Sequence, residues 1–280
     1  DKAMNPQSVE SSRRGLFYWG IACFLILQSG GVGPVWAVDI FGEELGVTIE
    51  SSYVSKYLWK GYDVLDDHGA WQPSLTLDYR GFYVGVWGSW PTSSGFVDAT
   101  ELDYYLGYAQ SFFEEEWYAL DADIAWYYYD YPHSDSHAGD DGISDSQEIV
   151  LALSMPNLIP LGPSHLVPSY TVGYNWDGIQ SGEDVDNGWI HTFGLAYDIP
   201  IPALIPGQEE AAISLGWDIS YNDGMFESDS GWSHSTARVS TVFEWHGFSL
   251  TPALFYQWSF EDTVNLEDEF FASVSLNYAF

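Results

Sequence analysis

The chain has 280 residues, with 41 acidic against 7 basic side chains and a formal charge of -34. Aromatic residues make up 18% and hydrophobic residues 46%, which excludes a disordered polyelectrolyte, since disorder needs low hydrophobicity alongside high charge. The acid excess also excludes nucleic acid as a partner, because no basic patch exists to neutralise phosphates.

Residues 1–37 read as an N-terminal extension with an export signal. Arg13 and Arg14 precede the apolar run 16–27, about half the roughly 20 residues that a membrane-spanning helix requires. Ser29, Gly30, Gly31, Gly33 and Pro34 follow, and Val35-Trp36-Ala37 places small side chains where a cleavage site needs them, so cleavage is expected after Ala37. Cys23, the single cysteine, would leave with the signal, so residues 38–280 would carry no disulfide and no cysteine metal site.

From residue 45 onward the sequence alternates with period two, broken by turns. Leu45, Val47, Ile49, Tyr53, Tyr57 and Trp59 share one parity of the first segment. Trp71, Leu75, Leu77 and Tyr79 follow, then an Arg80-Gly81 turn and Phe82, Val84, Val86 and Trp90. The rhythm continues in Leu102 to Tyr108, Tyr118 to Tyr128, Ile149 to Met155, Tyr170 to Trp176, Trp189 to Ile199 and Ala211 to Tyr221. The tenth segment is weaker (Ala237, Val239, Phe243, Trp245), and the eleventh, Phe248 to Trp258, contains Pro252, which removes a ladder hydrogen bond. Ala272, Val274, Leu276, Tyr278 and Phe280 make the last.

Segments of about 9 to 11 residues suit tilted strands that cross a bilayer. Their connections alternate between short or proline-bearing turns (at 80, 113, 156, 200 and 246) and longer acidic loops (at 63, 91, 130, 177, 222 and 260). Aliphatic residues hold the strand centres. Trp59, Trp71, Trp90, Trp176, Trp189 and Trp258 would form one aromatic rim, and Tyr79, Phe82, Tyr108, Tyr118, Trp245, Phe248 and Phe280 the other. A soluble sandwich also alternates, but it needs neither rim. The expected fold is therefore all-β, a transmembrane antiparallel up-and-down barrel of twelve strands, in contact with outer-membrane lipid.

The ending Val274, Leu276, Tyr278, Phe280 resembles the C-terminal assembly signal of outer-membrane barrels, which implies the barrel-assembly machinery as a partner during insertion. A narrower likeness lies in residues 51–64 and 72–90. Tyr57, Trp59, Lys60 and Gly61, then Asp78, Tyr79, Gly81, Phe82, Tyr83, Gly85, Trp87, Gly88 and Ser89, resemble the TorF-type porin family of proteobacterial outer-membrane proteins, with lysine at 60 where the pattern has arginine. That resemblance implies a Gram-negative outer-membrane location and a porin.

The parity opposite the apolar one would face the lumen. It carries Glu50, Asp78, Glu101, Asp103, Asp121, Asp123, Glu148, Asp198, Asp218 and Glu244, against Lys56, Lys60, Arg80 and Arg238. Unpaired carboxylates demand water or counter-charge; Asp218 and Arg238, on neighbouring strands, are expected to pair. A hydrated acidic lumen would favour small cationic or neutral solutes. Inward Gly85, Gly107 and Gly173 beneath Trp87, Tyr105, Tyr127 and Tyr129 would instead narrow the bore.

The sequence thus points to passive diffusion with weak cation preference and no cofactor, the alternative being a non-conducting barrel that acts through its acidic loops. A lipid hydrolase built on His191 is the enzymatic alternative, although no GxSxG or HExxH motif follows the signal. His133, Asp135 and His137, two residues apart, are candidate metal ligands of a kind that suits zinc or another transition metal.

Overall fold

A computed structural model describes residues 38–40, 43–134, 144–179, 187–208, 210–260 and 264–279. Twelve long strands make the wall: β1 Glu43–Val54, β2 Ala70–Tyr79, β3 Phe82–Pro91, β4 Glu101–Phe112, β5 Leu120–Asp130, β6 Ser146–Ser154, β7 Ser164–Asp177, β8 Gly188–Ile201, β9 Ala211–Asp223, β10 Gly231–Thr241, β11 Phe248–Ser259 and β12 Glu269–Ala279. Each pairs antiparallel with its sequence neighbours. β12 then returns to β1, from Ser273 opposite Val54 to Ala279 opposite Thr48, so the sheet closes and leaves no edge.

Burial is inverted relative to a soluble domain. Ile49, Leu75, Val84, Leu106, Ile124, Leu151, Phe193, Leu215, Leu254 and Leu276 are exposed on the outside, while Thr48, Gln72, Thr76, Thr192, Ser220 and Asn277 are buried on the inside. Transmembrane barrels have this arrangement, with an apolar band outward and polar side chains inward. Trp71, Trp90, Trp189 and Trp258 stand exposed towards the loop end, and Phe82, Trp245 and Phe248 towards the turn end. Residues 1–37, where the export signal is expected, and Phe280, the last residue of the expected assembly signal, lie outside the described residues. Val274, Leu276 and Tyr278 of that signal lie on β12 opposite Tyr53, Ser51 and Ile49.

The tight turns follow from residue type. Arg80 and Gly81 both have positive φ, 52° and 84°, the requirement of the two-residue turn whose twist matches a hairpin. The tenth segment is weak because its register shifts beside Ser233, which lies between His234 opposite Ser220 and Trp232 opposite Tyr221, and its strand is also interrupted near Pro252 of β11. β10 ends at Thr241, and a short strand Phe243–Trp245 resumes on β11 in the same register, with Ser240 opposite Ala253 and Phe243 opposite Leu250. The gap falls where Pro252 offers no N–H to the ladder.

The first segment departs from expectation. Its strand stops at Val54, so Tyr57 and Trp59 do not continue onto the lipid-facing parity and Trp59 does not join the outer aromatic rim. The chain turns inward instead and forms a small hairpin, Leu58–Trp59 paired with Tyr62–Asp63, which buries Tyr57, Leu58 and Leu65 inside the barrel mouth. Continued alternation misled the sequence reading. An inward hairpin with aromatic residues on its buried side produces the same parity as a longer wall strand.

Candidate functional site

The hairpin tip is Lys60-Gly61, with φ of 51° and 96°, the same turn chemistry as Arg80-Gly81. It presents Lys60 at the end of a stiff two-stranded arm. Lys60 Nζ forms an ion pair with Glu148 Oε1 of β6, and both side chains are almost fully buried, 5% and 1% exposed. Tyr129 OH donates to the other oxygen of Glu148 at 2.6 Å. The ammonium also lies 4.7 Å from the centre of the Trp59 ring, which packs edge-on against Tyr129 at 5.3 Å. Burial pulls the Lys60 ammonium below the ordinary lysine range, and the Glu148 carboxylate only partly opposes this.

Contacts on the opposite wall fix the arm from the other side. Gln257 Nε2 of β11 donates to the Gly61 carbonyl at 2.8 Å. Tyr62 OH donates to the Met225 carbonyl at 3.1 Å and lies 2.5 Å from Ser228 Oγ. A Cβ on Gly61 would stand 2.5 Å from the ring of buried His234 on β10. Residues 55–69 therefore span the mouth from β4–β6 to β9–β11. At the entrance, Lys56 pairs with Asp67, and with Glu269 of β12 at 2.5 Å; these carboxylates hold it above the ordinary lysine range.

Asp63, Asp67 and Glu269 bring their oxygens close enough to hold a metal ion. The Lys56 ammonium already meets two of the three, which makes the cluster an ion-pair clasp. Asp63 also accepts the backbone N–H groups of Leu65 and Asp67, at 3.2 and 2.6 Å.

A second acidic cluster adjoins the first. Glu101 on β4 accepts hydrogen bonds from Tyr57 OH at 2.7 Å and Tyr131 OH at 2.9 Å, so the base of the arm is tied to the same wall as its tip. Asp103, two residues on, interacts with both Glu101 and Glu148.

Below the arm the two halves of the lumen differ. Over β2–β6, Tyr83, Trp87, Tyr105, Tyr127 and Tyr129 fill the interior, and the glycines make room for them. A Cβ on Gly85 would stand 2.2 Å from the Tyr105 ring, and one on Gly107 would stand 2.3 Å from the Tyr83 ring. Tyr83 OH donates its single hydrogen to the Asp123 carboxylate, 3.0 Å from both oxygens. Over β8–β12 and β1, inward Asp198, Ser214, Gly216, Asp218, Thr236, Arg238, Ser273, Ser275 and Glu50 keep partial access to solvent. The arm thus crosses the loop end, while a polar band with partial access to solvent persists along one arc.

The residues expected to line the lumen divide accordingly. Glu50, Asp78, Glu101, Asp103, Asp121, Asp123, Glu148, Asp198, Asp218 and Arg238 stand on wall strands with inward parity, whereas Lys56 and Lys60 reach the interior from the first loop. Arg80 does not line the lumen: it occupies the turn after β2, exposed, with its guanidinium 5.4 Å from the Tyr79 ring. Glu244 lies on the short strand Phe243–Trp245, opposite Ser249 of β11 and on the face away from exposed Phe248 and Leu250.

Arg238 stands opposite Gly216 and Asp218 opposite Thr236, so the two charges are diagonal neighbours. Arg238 lies within the field of Asp198 and Asp218, donates to Ser240 Oγ at 3.0 Å, and sits 5.8 Å from the Phe255 ring. His133 is exposed on the loop after β5, and Asp135 and His137 lie outside the described residues. His191 faces outward, 2.8 Å from Tyr170 OH.

Sequence reasoning missed His234 and the inward arm. The available signal was Lys60-Gly61, an X-Gly pair of the same kind as Arg80-Gly81 and His246-Gly247.

Among solved structures, the chain is similar to the NanC porin (9% identity, covering 83% of this chain and 98% of that one, TM-score 0.49). It is also similar to the COG4313 outer membrane channel from Pseudomonas putida F1 (14% identity, 89% and 100%, TM-score 0.47), and to LpxR from Salmonella typhimurium (9% identity, 82% and 99%, TM-score 0.46). No curated protein is significantly similar to the chain. Residues 43–233, more than half of the sequence and inclusive of the inward arm, match the family described as a bacterial protein of unknown function, Gcw_chp, and the chain belongs to that family.

Proposed function

We propose that this protein is a Gram-negative outer-membrane porin that admits small neutral or cationic solutes by passive diffusion, with weak cation preference. The observation that carries the reading is the water-accessible polar arc inside a closed barrel whose outer surface is apolar. Glu50, Asp198 and Asp218 share that arc with Arg238, so acids outnumber bases there. A lumen with that balance concentrates cations and repels anions. The outward apolar band supports an outer-membrane location, and the resemblance of residues 51–90 to TorF-type porins points the same way. His191 spends a ring nitrogen on Tyr170 and stacks beside Trp189, as an interfacial side chain does, so the proposal gives it no hydrolytic role.

A second reading, a non-conducting barrel that acts through its loops, is favoured by the buried arm across the mouth. Planar-bilayer recording under a salt gradient separates the two. The porin gives discrete conductance steps with a reversal potential of cation-selective sign. Steps without that sign leave a porin and remove the cation preference. Silence from protein shown to be folded by its altered migration on unheated gels selects the non-conducting barrel.

A further inference from the structure

We infer that the wall recess around Glu148 is a binding site for primary alkylammonium groups, and that Lys60 is its tethered occupant. The inference concerns binding and does not depend on conduction.

Three observations carry it. The recess is built for one buried carboxylate: Glu148 is fully buried, Tyr129 OH donates to one oxygen, and Gly173 leaves the space the other occupies, since a Cβ there would stand 2.0 Å from Glu148 Oε1. A cationic head group already stands in it, the Lys60 ammonium.

The third observation is that the recess offers more than Lys60 uses. An ammonium has three N–H donors. Asn175 Oδ1 is buried without a hydrogen-bond partner, and Asn175 stands directly opposite Glu148 in the ladder. Lys60 enters from a turn whose backbone is fixed by Gln257 and whose neighbour Tyr62 is held by Ser228, so its approach is constrained. A free alkylammonium has no such tether and can turn a second donor towards the Asn175 oxygen. A buried acceptor left unsatisfied is costly, so a ligand that satisfies it competes with the resident lysine. Once Lys60 is displaced, the arm loses its tip contact with β6 and its tip loosens. The acids and the aromatic side wall of Tyr129 select a compact cationic head on an apolar stem, and carboxylate-bearing solutes are repelled.

The probe is n-butylammonium, which reproduces the lysine side chain, with sodium chloride at equal ionic strength as the control. In detergent-folded Lys60→Met, n-butylammonium raises the thermal unfolding midpoint and sodium does not, while Lys60→Met combined with Glu148→Gln shows no rise. An equal rise with sodium, a rise that survives Glu148→Gln, or no rise in a folded Lys60→Met barrel would overturn the site.

In case Lys60→Met does not fold, the wild-type barrel gives an independent readout. Displacement of the arm opens Trp59 and Tyr62 to chymotrypsin, and a ligand at ten times its dissociation constant shifts the docking equilibrium by about tenfold. Cleavage in residues 58–63 that quickens with n-butylammonium and not with sodium supports the site. An unchanged rate refutes it.

Discussion

Gly173 and Glu148 stand diagonally on the neighbouring strands β7 and β6, and the Glu148 carboxylate occupies the place a side chain at 173 would take, 2.0 Å from its Cβ. Gly173→Ala must push the carboxylate away from Lys60 and Tyr129. Overpacking of this kind costs about 1–3 kcal/mol, and here it also breaks a buried ion pair. The expected outcome is a lower unfolding midpoint together with faster chymotryptic cleavage of residues 58–63. A stability loss with no change in cleavage would mean that Lys60 does not anchor the arm.

Tyr57 and Tyr131 share one acceptor, Glu101. Tyr57→Phe and Tyr131→Phe each remove one donor from a buried carboxylate, at a cost of about 1–3 kcal/mol. Because both act on the same group, the double variant is expected to depart from the sum of the singles, with a coupling of about 0.5–3 kcal/mol. Urea titration of the four proteins in one detergent measures it. Strict additivity would show that the two hydroxyls do not meet at Glu101.

The wall was legible in the sequence because each strand carries its own record of two environments. Leu106 outward and Tyr105 inward are adjacent in sequence and opposite in exposure, 53% against 1%. Closure was legible from the terminal alternation of Val274, Leu276 and Tyr278. The arm was not, because Tyr53, Tyr57 and Trp59 keep one parity through a change of direction, and parity alone does not distinguish a lipid-facing ring from one packed against Tyr129. Partners separated by long stretches of chain, such as Lys60 with Glu148 or Gly61 with Gln257, leave no local periodic signal. They arise only once the barrel has closed and brought β6 and β11 to face each other. Arg80 was misplaced for a simpler reason: it extends the inward parity of Asp78 by two, but its positive φ belongs to the turn.

Leu106 lies at the middle of β4, exposed on the outer face between Val84 and Trp126 of the adjacent strands. An arginine at the centre of a barrel's lipid face costs about 2–4 kcal/mol and much less near the rims. Leu106→Arg is therefore expected to lower folding stability in phospholipid vesicles by that amount, while arginine at exposed Trp117, in the turn after β4, has a small effect. Equal effects at the two positions would show that the apolar face does not meet hydrocarbon.

The docked arm should also respond to pH, with a sign fixed by linkage. Docked Lys60 holds its proton less tightly than a lysine in water, whose ordinary value is 10.5. As pH rises towards that value, the docked form sheds its proton first, the undocked form binds more protons, and docking strengthens. The groups that face the arm are Glu148 on β6, Glu101 and Asp103 on β4, Tyr129 and Tyr131 on and after β5, His234 on β10 and, at its base, Lys56 with Glu269 and Asp67. Chymotryptic cleavage of residues 58–63, normalised to the heat-unfolded protein at each pH, is expected to slow as pH rises towards the ordinary lysine value. Cleavage that quickens over that window would mean the ion pair with Glu148 outweighs the desolvation of the ammonium, and the arm would then be released by alkali.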